Sequence, residues 1–203
     1  MDIIIVVLFS YLSGSIPFGL ILTKTFGNID IRKIGSGNIG ATNVLRTGNK
    51  FLALFTLLLD MLKGYMPVII ASKYFPELIQ LSCLITFLGH IFPIWIKFKG
   101  GKGVATYLGI LFALSLQLSL LFIFTWVVVS LIFKYSSLSS MFSSLTVFVV
   151  TLIKDNALKS INPKIDIGQE LSILLFIFFI LIIFAHRKNI YKLKNKTEQK
   201  IKI

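Results

Sequence analysis

Apolar residues in this chain come in long runs, and the polar ones collect between them. The runs cover Ile3–Leu22, Phe51–Ala71, Leu78–Ile96, Val104–Phe133, Leu138–Ile153 and Leu171–Ala185. A helix needs about 20 apolar residues, at about 1.5 Å rise each, to cross a hydrocarbon core of about 30 Å. Each run therefore predicts at least one membrane-spanning helix. Val104–Phe133 is too long for one, since roughly 30 residues rise about 45 Å. The polar cluster Ser115, Gln117 and Ser119 near its middle marks a turn, which predicts two short helices.

Positive charge orients these helices, because loops rich in Lys and Arg stay cytoplasmic. The loop at about 23–50 holds Lys24, Arg32, Lys33, Arg46 and Lys50 against Asp30. The segment 97–103 holds Lys97, Lys99 and Lys102, and the tail 187–203 is basic with Glu198 its sole acid. All three are expected inside. The 72–77 link balances Lys73 with Glu77, and 154–170 sets three lysines against Asp155, Asp166 and Glu170, so these two are expected outside. An outside N-terminus with a cytoplasmic C-terminus requires an odd number of spans. Splitting Val104–Phe133 gives seven, with five as the alternative where a weaker run does not cross. The first run reads as a retained span, because its flank carries Asp2 and no Lys or Arg, unlike a signal peptide. The expectation is an all-α integral membrane protein, with residues 1–203 forming a single transmembrane domain.

Composition agrees. Hydrophobic residues make up 56% and charged residues 14%, whereas a soluble domain carries about 25% charged residues. A soluble enzyme, a disordered chain and a secreted disulfide scaffold are excluded. The net charge of +13 reads as membrane topology and anion attraction, with no nucleic-acid partner. The lone Cys83 lies in an apolar run and reads as packing.

Candidate chemistry sits where the positive charge does. The first loop reads Gly35-Ser36-Gly37-Asn38-Ile39-Gly40-Ala41-Thr42-Asn43, followed by Arg46. Closely spaced glycines leave backbone N–H groups uncovered, as in anion-binding nests. Ser, Asn and Thr add neutral donors, and Arg46 adds a planar fork suited to phosphate. It is not a nucleotide loop, since Ala41 stands where the phosphate lysine is required. In the second loop, Gly100, Gly101 and Gly103 interleave with Lys97, Lys99 and Lys102, directly before a helix expected to start near Val104. Two such loops on one face suit a ligand, or a ligand pair, carrying two phosphates.

Asp60 and Lys63 lie three apart inside an apolar run, where charge is costly. They read equally as a structural pair or as site lining. His90 reads as packing, whereas His186, beside Arg187 and Asn189, is better placed to meet a polar ligand. No His-Glu-x-x-His motif and no carboxylate cluster is present, so neither a metal nor a cofactor is expected. The Asp that soluble glycerolipid acyltransferases place five residues after their His is replaced by Trp95 and Tyr191. A transporter of phosphate or a sugar phosphate would suit similar loops, but the paired repeats common in transporters are not visible. A purely structural subunit leaves both loops unexplained.

Four stretches together resemble one family. They are Ser13-Gly14-Ser15-Ile16-Pro17-Phe18-Gly19, Gly35 through Asn43, Gly89-His90-Ile91-Phe92-Pro93, and Phe98-Lys99-Gly100-Gly101-Lys102-Gly103-Val104-Ala105-Thr106. The chain resembles the bacterial membrane acyl-phosphate:glycerol-3-phosphate acyltransferases, from Ser13 to His186-Arg187-Lys188-Asn189-Ile190. The resemblance implies transfer of a long-chain acyl group from acyl phosphate to the sn-1 hydroxyl of glycerol 3-phosphate, giving lysophosphatidic acid. The reaction would run at the cytoplasmic face of the bacterial inner membrane, without a covalent acyl-enzyme. It also implies seven spans, with the N-terminus outside. Ser36, Lys102, His186 and Asn189 match catalytic positions. Gly35, Gly37, Asn38, Gly40, Thr42, Asn43, Arg46, Gly100, Gly101 and Gly103 match substrate-binding ones. Ser15, Asp60, Lys63 and His90 read as supporting residues. The hydroxyl proton is left to His186 or to an oxygen of the donor phosphate. A soluble acyl-phosphate-producing enzyme is a plausible partner for the basic tail. The family tends to carry Gly before Thr-Glu, where this chain has Lys196 before Thr197-Glu198.

Overall fold

The computed structural model describes residues 1–161 and 169–201. Lys164, Asp166 and Lys202, counted in the loop charges, lie outside them. Among the described residues the regular structure is helical. In chain order the α-helices are α1 (Asp2–Ser15), α2 (Phe18–Gly27), α3 (Ala41–Leu45), α4 (Lys50–Tyr74), α5 (Ile79–Ile91), α6 (Val104–Leu114), α7 (Leu116–Phe133), α8 (Ser136–Ile161), α9 (Gln169–Ala185) and α10 (Arg187–Lys194).

Breaks fall where the backbone is chemically constrained. Pro17 has no N–H and restricts the residue before it, so Ile16 is extended (φ −62°, ψ 118°) and separates α1 from α2. The two nevertheless form one apolar stretch, Asp2–Gly27, long enough to cross a bilayer. The run expected to end at Ile96 leaves α-helical geometry at Ile91, because Phe92 precedes Pro93, and 94–96 forms a separate 3₁₀ turn. Ser115 is extended (φ −164°, ψ 122°), which divides Val104–Phe133 where the polar cluster begins. The expectation of two short helices there needs correction. α6 has 11 residues, but α7 has 18 and is long enough to cross.

Among the described residues five helical stretches are long and apolar enough to span a membrane, or six if the bent pair Glu170–Ala185 and Arg187–Lys194 counts as one. The chain is a multi-pass membrane protein. Its described residues group into two compact units, Met1–Ser115 and Leu116–Ile203.

In the first unit, glycines let helix backbones touch. A Cβ on Gly64 of α4 would overlap the backbone of Thr106 in α6, and one on Gly109 of α6 would overlap Met61 of α4. Small residues at crossings permit this approach in lipid, where packing rather than water drives association. A separate small core of Leu20, Ile31, Ile39, Val44, Leu52 and Ala53, with Ile96 packed against it, anchors the first glycine loop to α2 and α4.

In the second unit, α7, α8 and α9 pack in sequence. Of the serine cluster at the start of α8, Ser137, Ser139, Ser140, Ser143 and Ser144 are buried. The hydroxyls of Ser139, Ser140, Ser143 and Ser144 bond back to helix carbonyls, Ser143 to Ser139 at 2.7 Å and Ser140 to Ser136 at 2.8 Å. These side chains thereby satisfy themselves locally and leave a narrow helix face. Trp126 of α7 donates to the Ser140 hydroxyl at 3.2 Å.

Candidate anion-binding loops

The first loop is organised around one amide. Asn43, in α3, is 2% exposed. Its Nδ2 donates to the carbonyls of Ile31 (3.1 Å), Ile34 (3.0 Å) and Asn38 (2.8 Å). Its Oδ1 accepts the backbone N–H of Ser36 at 2.9 Å. Gly35 and Gly37 hold positive φ of 55° and 72°, which a residue with a Cβ rarely adopts. The Gly40 N–H is taken by Asn38 Oδ1 at 3.0 Å. Ser36, Gly37, Thr42 and Arg46 are exposed at the surface of this frame.

Arg46 folds over Gly35: a Cβ there would lie 3.0 Å from Arg46 Cδ. Arg32 is engaged elsewhere, donating to both oxygens of Asp30 at 2.9 and 2.6 Å. That hydrogen-bonded guanidinium holds the Asp30 carboxyl well below the usual carboxylate range. Among the described residues Arg46 forms no ion pair. The structure therefore brings Gly35, Ser36, Asn38, Asn43 and Arg46 together, with Asn43 shaping the loop from beneath.

The second loop leaves the 94–96 turn through two left-handed residues, Lys97 (φ 55°) and Phe98 (φ 59°). The Gly100 and Gly101 amides then donate to the carbonyls of Ile91 (3.1 Å) and His90 (3.2 Å). Gly103 (φ 78°) caps α6, which begins at Val104 as expected. Gly101 and Gly103 are buried, and Lys102 between them is half-buried. Ile96, at the root of this loop, packs on the core that carries the first loop, so the two loops of this unit share a foundation.

The supporting residues form a buried polar knot. The Lys63 ammonium forms an ion pair with Asp60 Oδ1 at 2.7 Å and donates to the Ile16 carbonyl at 2.6 Å, at the break between α1 and α2. His90 Nδ1 lies 3.0 Å from Thr106 Oγ1 and 4.0 Å from Asp60 Oδ1. Ser15, buried, accepts from Trp95 Nε1 at 2.8 Å and donates to Leu12 O. Asp60 and Lys63 form a buried ion pair. Trp95 and Thr106 were not singled out by the sequence. Nothing in linear spacing joins them to Ser15 and His90.

In the second unit His186 sits at the 58° bend between α9 and α10 and is 1% exposed. Its Nδ1 is 2.8 Å from the Ile182 carbonyl. A carbonyl only accepts, so Nδ1 carries a proton, and in the neutral ring the lone pair belongs to Nε2. Asn189 Nδ2 donates to Glu198 Oε1 at 2.9 Å, and Ser137 donates to the same oxygen at 2.6 Å. Glu198 was read only as tail charge. Its signal was an isolated acid in a basic tail.

The molecule is thus a polytopic helical membrane protein that displays Ser36, Thr42 and Arg46 on a glycine-rich loop. A family model described as glycerol-3-phosphate acyltransferase matches residues 4–196. A glycerol-3-phosphate acyltransferase of Pelagibacter ubique is 53% identical over 203 residues, covering 100% of both chains. One of Mesorhizobium japonicum is 49% identical, covering 98% of this chain and 96% of its own. The crystal structure of PlsY, an integral membrane glycerol 3-phosphate acyltransferase in its glycerol 3-phosphate form, superposes with a TM-score of 0.89 at 34% identity, covering 100% of this chain and 96% of that one. Its lysophosphatidic acid form gives 0.86 at 33% identity, covering 98% and 95%. This chain belongs to the glycerol-3-phosphate acyltransferase family.

Proposed function

We propose that the protein transfers a fatty acyl group from acyl phosphate to the sn-1 hydroxyl of glycerol 3-phosphate, releasing lysophosphatidic acid and phosphate. The observation that carries this reading is the first loop. Arg46 lies over Gly35 beside exposed Ser36, on a frame held by Asn43, in a chain 53% identical to a protein named for the reaction's acceptor. The glycerol 3-phosphate and lysophosphatidic acid forms of the PlsY structure support the acceptor and product.

An acyl phosphate is already an activated anhydride, so the protein's task is to hold two anions and aim a hydroxyl. The glycerol oxygen attacks the acyl carbon, the acyl–oxygen bond to phosphate breaks, and phosphate leaves. Arg46 and Lys102 balance the charge that develops on the oxyanion and the leaving phosphate. Ser36, Asn38 and Thr42 orient the acceptor, while Gly37, Gly40, Gly100 and Gly103 shape the turns: the Gly37, Gly40 and Gly100 amides are spent within their own loops rather than offered to the ligand. Asn189, held by Glu198, is the polar candidate of the second unit.

The proton goes either to Nε2 of His186, whose tautomer the Ile182 carbonyl supports, or to an oxygen of the donor phosphate. A rate loss of about 10³-fold or more in His186→Ala assigns it to the histidine, and a modest loss assigns it to the donor. We place residues 1–203 in one transmembrane domain of seven spans, with the N-terminus outside and the site at the cytoplasmic face of the bacterial inner membrane. The basic tail suits docking of a soluble enzyme that makes the acyl phosphate.

The test is phosphate release by purified protein given palmitoyl phosphate and glycerol 3-phosphate, with the lipid product identified by mass. Lysophosphatidic acid appears only with both substrates and is lost in Arg46→Ala. Tight binding of glycerol 3-phosphate with no product from any acyl donor overturns the reading in favour of transport.

A further inference from the structure

The second glycine loop rests on an imidazole. The three atoms nearest to a Cβ built on Gly101 are all in the His90 ring, Nε2 first, then Cε1 and Cδ2, and the first of them would overlap it. The His90 carbonyl also takes the Gly101 amide, and Ile91 takes that of Gly100. On the other side of Lys102, a Cβ on Gly103 would overlap the Phe87 ring. Lys102 is therefore held between two backbone positions pressed onto rings of α5.

The His90 ring is itself clamped from behind. Nδ1 meets Thr106 Oγ1, in the first turn of α6, at 3.0 Å. Asp60 stands 4.0 Å away, fixed by Lys63, which is in turn fixed to the Ile16 carbonyl. A buried polar group is tolerable in an apolar bundle when it is paired, and this pairing gives the ring a defined plane. An aliphatic side chain could fill the volume without defining one.

We propose that His90 is a positioning residue: its ring sets the height and direction of the Gly100–Gly103 turn and so aims the Lys102 ammonium, without touching substrate. The proposal deepens the acyltransfer reading and rests on the role given there to Lys102.

A double-mutant cycle tests it. Gly101→Ala drives a methyl into the ring and lowers kcat/KM for glycerol 3-phosphate about tenfold or more. His90→Asn removes Nε2 and Cε1, the two nearest atoms, while keeping a polar atom for Thr106. Added to Gly101→Ala, it restores activity at least about threefold despite being a second change. In a Lys102→Ala background His90→Asn costs nothing further, because no ammonium is left to aim. A residue that only supports the fold would cost the same in both backgrounds. Thermal unfolding in detergent shows that each variant is folded.

A double variant no better than Gly101→Ala, or an undiminished His90→Asn effect without Lys102, overturns the proposal. Wild-type protein that makes no lysophosphatidic acid overturns the acyltransfer reading instead. In that case the same cycle, read in the dissociation constant for glycerol 3-phosphate, still decides the role of His90.

Discussion

Asn43 shows how one side chain can build a site by facing away from it. Its two amide hydrogens serve three carbonyls and its oxygen takes the Ser36 N–H, so its polar atoms face the loop's own backbone. Removing them in Asn43→Ala leaves buried carbonyls unpaired, at about 1–3 kcal/mol each for those that water does not reach. Asn43→Asp is worse despite its similar shape, because it sets a carboxylate oxygen against the carbonyls. The expected order of thermal stability is wild type, then Ala, then Asp, with affinity for glycerol 3-phosphate falling in the same order. An Asp variant as stable as wild type would show that the amide hydrogens do not hold the loop.

At the scale of elements, Lys196 carries a cost that the tail could shed. It follows α10 in the left-handed region at φ 56°, with the Thr197 N–H bonded back to the Lys192 carbonyl at 2.8 Å and its own N–H to Leu193 at 3.1 Å. This is the helix-ending geometry that glycine suits, and a side chain there costs about 1 kcal/mol. Lys196→Gly is expected to stabilise the protein by about that much, read as a higher melting temperature in detergent. No gain would mean that the side chain makes compensating contacts.

The sequence already flagged this turn, through the Gly that relatives tend to place before Thr-Glu. It also exposed the break at Ser115 and the start of α6 at Val104, because polar residues and glycines interrupt an apolar pattern locally. What it did not expose depends on partners distant along the chain. α8 continues past Lys154 to Ile161, carrying Asp155, which is buried against the Ser172 hydroxyl of α9; a charge count alone reads that acid as loop. Ser36 and Asn43 looked equivalent in the loop, and only the hydrogen bonds separate an exposed donor from a buried frame. Hydropathy likewise ran on through Pro93, although its effect on Phe92 ends α5 early.

Across the whole molecule, the length of α6 and the charge of the loops pull in different directions. An 11-residue helix rises only about 16 Å, roughly half the hydrocarbon core, so among the described residues length leaves five crossings, or six if α9 and α10 form one span, and six strands a basic tail outside. Charge demands an odd number. The conflict resolves if α6 crosses with help from its flanks. Gly101 and Gly103 before it are buried, and non-helical backbone is tolerated at membrane depth where protein covers it. That places Lys99 inside and Gln117 outside.

Single cysteines in a Cys83→Ala background test this with an impermeant maleimide on intact cells, because Ser72, Lys99, Gln117 and Lys200 are all exposed. Ser72→Cys and Gln117→Cys should label at once, and Lys99→Cys and Lys200→Cys only after permeabilisation. If Gln117→Cys is protected like Lys99→Cys while Lys200→Cys labels at once, α6 enters and leaves on one side. The seven-span topology then fails, although both glycine loops would still share the cytoplasmic face.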